Sequence, residues 1–258
     1  MNPIRSLFPA FITADIAEGT FNANHLSIDD YKQYYAELFN VVLDIPTTLN
    51  DGDVISRITA MHDVLSQFSL KGLKLIQKSI IALGKAKNTM HLLYDIYYDL
   101  NEWLIEIKQR YNIIKDDASD AMITKDVSTP LVKSAGLINK VEDKVLLVFQ
   151  RIKKIMIRND NVFHLLQVLD IEDELCAIEY IEPHIMYAIS HRAVNCFKKL
   201  LRELLTLSND PSLYTLFTEI CIKAYKTNNS RIIKLIRASL PKLARKYREA
   251  FRELSLIN

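Results

Sequence analysis

The residues best equipped for chemistry in this chain are few and poorly grouped. His62 and Asp63 are adjacent and suit a shared divalent metal, but such a pair needs a His before it and an Asp after it on other helices. His25 stands in a stretch that reads as loop. Asp95 and Asp99, four apart, put two carboxylates on one helical face, as in acidic helices that hold Mg²⁺. The second consecutive Asp of such a site is missing, and Asn209-Asp210-Pro211-Ser212-Leu213 offers no spaced Ser and Glu to oppose it. His184 and His191 lie seven apart near Glu179 and Glu182, whereas zinc takes three or four ligands, and Glu-x-x-His does not occur. No Ser or Cys has a nucleophile context, and no glycine-rich phosphate loop exists. The expectation is a non-enzymatic chain with no catalytic residue, cofactor or metal.

The charge distribution says more. Lys+Arg 33 against Asp+Glu 31 gives a net charge of only +2, which excludes a nucleic-acid binder that works by bulk charge. Residues 223–258, however, carry ten bases against two acids, a local net of +8. Residues 1–70 carry three bases against nine acids, a local net of −6. The last helix should show Leu243, Tyr247, Phe251 and Leu254 on one face and cations on the rest. The expected partner- or nucleic-acid-binding set is Lys234, Arg237, Lys242, Arg245, Lys246, Arg248 and Arg252. Four readings fit it: a solvated final helix, phosphate contact with nucleic acid, head-to-tail assembly of acidic start on basic end, and an anionic membrane surface. A protein partner or self-association ranks ahead of nucleic acid, and nucleic acid ahead of the membrane.

These residues must be positioned by helices. Of 258 residues only five are Gly, where average usage near 7% would give about 18. That scarcity disfavours Rossmann folds, phosphate loops and hairpin-rich sheets, which need glycine at fixed turns. Residues 1–26, with Pro3, Pro9 and Gly19, read as an extended arm. Ser27 and Asp30 form a capping-box-like start to a helix carrying Tyr31, Tyr34, Tyr35, Leu38, Phe39 and Val42. Pro46–Gly52 reads as a turn before a short helix bearing Ile55, Ile58, Met61, Val64, Leu65 and Phe68. From Leu73 to Ile114 apolar residues recur every three or four positions, a stripe of about eleven turns that Gly84 interrupts or kinks. Asp116–Thr129 is polar, and Pro130 is expected to restart a helix. Ile138, Val141, Val145, Val148, Ile152 and Ile155 then alternate by 3 and 4, a heptad seam. Two such stripes predict an antiparallel helical hairpin or bundle, with a homotypic coiled coil second.

The last third reads as a repeat. At a period of 36, Ala188 falls on Ala224, Phe197 on Ile233, Lys198 on Lys234 and Leu200 on Ile236. At a period of 34, Arg158–Phe163 echoes Arg192–Phe197. Each unit is a helix, a tight turn and a second helix, which must stack on neighbours to bury its apolar face. Glu182-Pro183 ahead of Ala188, then Ser190-His191 and Cys196-Phe-Lys-Lys-Leu-Leu201, resembles a degenerate ankyrin repeat, and the likeness covers residues 150–240. Glu182 stands where the family has Thr, and neither turn has its Gly. The resemblance implies a protein-binding surface.

The predicted fold is all-α: a long helical hairpin or bundle followed by repeat-like stacked helix pairs. The domains are an arm at 1–26, a bundle at 27–157 and a helix-pair region at 158–258 ending in the basic helix. Cys176, Cys196 and Cys221, odd in number and without CxxC spacing, are expected to be small core residues in a reducing compartment. No signal-peptide pattern and no uncharged apolar run near ~18 residues is present, which predicts an intracellular, soluble protein.

Overall fold

The computed structural model describes residues 45, 49–50, 52–85, 89–120, 125–207 and 212–257. The expected arm, the helix from Ser27 and the Asn209–Pro211 loop lie outside these residues. The described residues form nine helices and no strand, so the fold is all-α. The chain divides into two compact units, Met1–Ile152 and Lys153–Asn258. The boundary falls inside a helix, five residues before the expected one.

In the first unit, Gly52 takes a φ of +109°, which turns the chain before α1 (Val54–Gln67). The Asp53 carboxylate caps α1 by accepting from the Ser56 N–H at 2.7 Å. A π-helical turn, Phe68–Gly72, carries α1 directly into α2 (Leu73–Leu83). The chain therefore breaks after α2 and not between the short helix and the stripe. Gly84 follows the last residue of α2 and weakens the helix where the stripe splits. Thr89, buried at the joint, donates its hydroxyl to the Leu83 carbonyl at 2.6 Å and so satisfies one of the open carbonyls of α2. Its own carbonyl accepts from the Leu93 N–H at 3.2 Å as α3 (Met90–Asp120) begins.

The polar stretch after Asp116 is also corrected. α3 continues to Asp120 and α4 (Lys125–Arg158) starts five residues before Pro130, which sits inside the helix. Three rungs join α3 to α4: Tyr97 to Phe149 with ring centroids 4.2 Å apart, Lys108 to Glu142 at 2.6 Å, and the Tyr111 hydroxyl donating to the Leu131 carbonyl at 3.4 Å. As one residue number rises the other falls, so the two helices are antiparallel. Arg57–Asp117 at 2.7 Å and Phe68–Trp103 at 4.2 Å place α1 antiparallel to α3 as well. The core between them is the predicted stripe: Ile76, Ile80, Leu93, Tyr97, Leu100 and Ile107, with Val141, Val145 and Val148, are all buried.

The second unit holds the last turn of α4, then α5 (Val162–Ile171), α6 (Ile178–Ser190), α7 (Val194–Leu204), α8 (Ser212–Thr227) and α9 (Ser230–Ile257). α6 packs on α7 and α8, α7 packs on α5 and α9, and α8 packs on α9. Three of the connections are the same tight turn. Asp160, Arg192 and Asn228 take φ of 51°, 58° and 50°, each directly before the residue that opens the next helix. The amide of Asn161 donates to the Met156 carbonyl and that of Ala193 to the Ala188 carbonyl, both at 2.9 Å across five residues, which closes the preceding helix. Glycine is the usual residue at such a position, and none is available here.

Caps are supplied in two ways. Asn161 and Asn229 cap α5 and α9 through their own side chains. Ala193 has no side chain for the task, and Asp160 replaces it from 35 and 36 residues away. One Asp160 oxygen accepts from the Asn195 N–H at 3.0 Å and from its side-chain amide at 2.8 Å, and the other accepts from the Cys196 N–H at 2.8 Å. α6 starts at Ile178, so Pro183 lies within it and does not open it.

Two stability outcomes follow. Asp160→Ala should cost about 2 kcal/mol, at the upper end of a lost N-cap, while Asp160→Asn should keep only part of it, because one of the two accepting oxygens becomes a donor, as measured by urea unfolding. Arg192→Gly should raise stability by up to about 1 kcal/mol, because a side chain in the left-handed region costs about that much. A loss of stability in Arg192→Gly would assign the Arg192 side chain a contact stronger than that strain.

Candidate functional site

α9 rises for 28 residues, about 42 Å at 1.5 Å per residue. Its first turns are fixed by packing: Ile232 and Ile236 are buried. At 3.6 residues per turn, Arg231, Lys234, Lys242 and Arg245 fall on the side opposite these two, and Arg237 lies on its flank. All five are exposed. Of the expected set, the structure therefore brings Lys234, Arg237, Lys242 and Arg245 onto one outward half of one helix. Of Lys246, Arg248 and Arg252 it describes the backbone alone.

No Asp or Glu occurs between Glu219 and Glu249, a stretch that holds nine Lys or Arg. Among the described residues, Lys226, Arg231, Lys234 and Lys242 have no ion pair or hydrogen bond through their charged groups. Arg237 extends along the seam with α8, where its Nη2 lies 3.4 Å from the Tyr225 hydroxyl. Tyr225 and, one turn back on α8, Ile222 are more than half exposed, and Leu240 of α9 is 45% exposed. Pro241 sits inside the helix and cannot donate to the carbonyl of Arg237.

A second polar cluster lies inside the unit. Lys153 is 2% exposed and bridges Glu172 at 2.5 Å and Glu174 at 2.9 Å. The other Glu174 oxygen is 2.8 Å from His184 Nε2. Burial pushes the Glu174 carboxyl upward, but the hydrogen bonds from His184 and Lys153 and the Lys153 charge prevail and hold it well below the ordinary range, at about 2. The cluster fastens the α5–α6 turn to the end of α4. With its carboxylates already saturated by an ammonium and an imidazole, it reads as a structural joint. Sequence reasoning set His184 against Glu179 and Glu182 of its own helix, and the true partner is Glu174 across the turn. The available signal was the spacing of Phe149, Lys153 and Met156 by 4 and 3, which puts a lysine in line with two buried apolar residues.

The remaining candidates do not converge. His62 and Asp63 are exposed on α1, and the His62 ring faces the Ser66 hydroxyl at 3.4 Å. Asp95 and Asp99 are half-buried on α3, and each has an interaction partner. His191 is exposed, stacks on Tyr187 at 3.9 Å and donates from Nδ1 to the Tyr187 carbonyl, so it does not share a site with His184. No group of three or more His, Cys, Asp or Glu suited to a metal occurs among the described residues. Of the cysteines, Cys196 is buried and Cys221 half-buried, but Cys176 is exposed, against the expectation of three core residues. Burial, and then the nearby Asp160 carboxylate, pushes the Cys196 thiol far up and leaves it unreactive. Among the described residues, no helix is long and apolar enough to cross a membrane.

The depressed Glu174 carboxyl gives the second unit an acid-sensitive joint. A group whose folded pKa lies below its unfolded value stabilises the fold above the unfolded value and loses that contribution as pH falls through the folded one. Stability should therefore drop between about pH 4.5 and pH 2, and Glu174→Gln should flatten that part of a denaturation-versus-pH profile.

No protein-family model, curated protein or solved structure matches this chain.

Proposed function

We propose that this protein is a non-enzymatic helical interaction module that binds an anionic macromolecular partner through the outward face of α9. The observation that carries the reading is the exposed run of Arg231, Lys234, Arg237, Lys242 and Arg245, of which Arg231, Lys234 and Lys242 have no ion pair or hydrogen bond through their charged groups among the described residues. An unneutralised face of this kind raises the local concentration of an anionic partner and speeds encounter. Arginine and lysine differ in what they add: the guanidinium forks suit bidentate carboxylate or phosphate contact, and the lysines act as point charges.

We further infer that α6–α7 and α8–α9 are two helix-pair repeats of the ankyrin-like kind, with α5 completing an earlier one. The shared left-handed turn at Asp160, Arg192 and Asn228, and the packing of α6 on α8 and of α7 on α9, support this. The exposed outward half of α9, which carries Arg231, Lys234, Lys242 and Arg245, is the face offered to a partner.

The test is binding of labelled polyglutamate, single-stranded RNA and duplex DNA at increasing salt, with molar mass followed by light scattering. The wild-type chain should bind at least one of these polyanions and release it as salt rises. The quadruple variant Lys234→Ala, Arg237→Ala, Lys242→Ala, Arg245→Ala should bind at least about tenfold more weakly, with a flatter salt dependence and an unchanged thermal transition. Equal binding by wild type and variant would remove α9 as the binding face.

A further inference from the structure

The α8–α9 seam adds something a purely cationic face would not need. Ile222 and Tyr225 lie three residues apart on α8 and are each more than half exposed, and Leu240 on α9 is 45% exposed. Tyr225 is joined to Arg237 across the seam, so the aromatic ring and the Arg237 guanidinium share one rim of the helix pair, with Ile222 one turn back on α8 and Leu240 one turn on along α9. Lys226 and Lys234, both exposed, stand next to Tyr225 and one turn before Arg237.

We infer that the partner of α9 is an acidic amphipathic peptide segment, one whose carboxylates meet the α9 cations while its apolar side chains cover Ile222, Tyr225 and Leu240. This rests on the reading of α9 as a binding face and specifies what that face takes. Nucleic acid is recognised by cations and by planar side chains that stack on bases. Tyr225 and Arg237 meet that need, but Ile222 and Leu240 do not, since an aliphatic side chain has no flat face to offer a base. An acidic amphipathic peptide uses all of them, as apolar anchors within a polar rim. The partner must be acidic, because Lys226, Arg231, Lys234 and Lys242 are exposed with no ion pair among the described residues. The charge sets encounter and orientation, and the apolar strip sets how long the peptide stays.

The experiment compares three labelled probes on the full chain: a peptide with leucine at helical spacing and glutamate elsewhere, a glutamate-only peptide of equal charge, and single-stranded oligouridine. The wild-type protein should hold the amphipathic peptide about tenfold or more tightly than the glutamate-only peptide, the difference expected from covering the open halves of two aliphatic side chains. The double variant Ile222→Ser, Leu240→Ser should remove that advantage and leave binding of the glutamate-only peptide unchanged, which also reports that the cationic face is still folded. An undiminished advantage in the double variant overturns the assignment of the strip. Tighter binding of oligouridine than of either peptide overturns the peptide partner in favour of nucleic acid while leaving α9 as the binding face. Absence of binding by every probe at low salt overturns the α9 reading itself.

Discussion

The second unit depends on one carboxylate that accepts from two backbone amides and one side-chain amide at the start of α7. Asp160 sits in the left-handed conformation that ends α4, a position its short polar side chain tolerates better than most. From there it accepts from Asn195 and Cys196 at the start of α7, where Ala193 offers no cap. Two consecutive helix pairs are thereby locked in register by a group that belongs to the turn of the first. α7 in turn packs on α9, so the cationic helix inherits its position from this contact. A short carboxylate reaching 35 residues along the chain is possible only because successive turns lie side by side.

The scarcity of glycine sets the rest of the architecture. Without glycine, a left-handed turn residue costs about 1 kcal/mol, and the chain places Asp, Arg and Asn at these sites. The short polar side chains of Asp160 and Asn228 tolerate the left-handed region better than the long side chain of Arg192 does. Two glycines of the first unit mark its helix boundaries. Gly52 supplies a positive φ directly before α1, and Gly84 marks the place where an apolar pattern suited to one long helix breaks in two.

What could be read from the sequence follows from how local each determinant is. Helical periodicity depends only on which side chains must be buried, so the stripe from Leu73 to Ile114 and the seam from Ile138 to Ile155 identified most of the core, although Tyr111 is only half-buried and Ala86 lies outside the described residues. Helix ends depend on a few capping bonds, and there the reading failed. Pro130 and Pro183 look like starts but lie inside α4 and α6, because a proline near a helix start removes an amide that has no partner or only one to lose. The continuity of α1 with α2 through a π turn leaves no mark in the spacing, since one extra residue in a turn merely shifts the phase. The basic face was legible because charge is additive along a helix. The Lys153–Glu174–His184 joint was not, because it joins α4, a turn and α6, and no pairwise spacing along the chain encodes that meeting.

The cationic face also carries an internal cost. Like charges three residues apart, as at Arg231, Lys234 and Arg237, disfavour a helix by a few tenths of a kcal/mol per pair. Arg231 stands in the first turn, where the helix dipole opposes a positive charge. Burial of Ile232 and Ile236, each worth about 1.5–3 kcal/mol, more than offsets these terms at the start of α9. The balance explains why the apolar anchor precedes the charged run. The helix is secured where the dipole is unfavourable, and the cations then follow along turns beyond the reach of that end's partial charge. A bound polyanion would relieve the repulsion along the whole face at once, so binding and helix stability on α9 are expected to rise together.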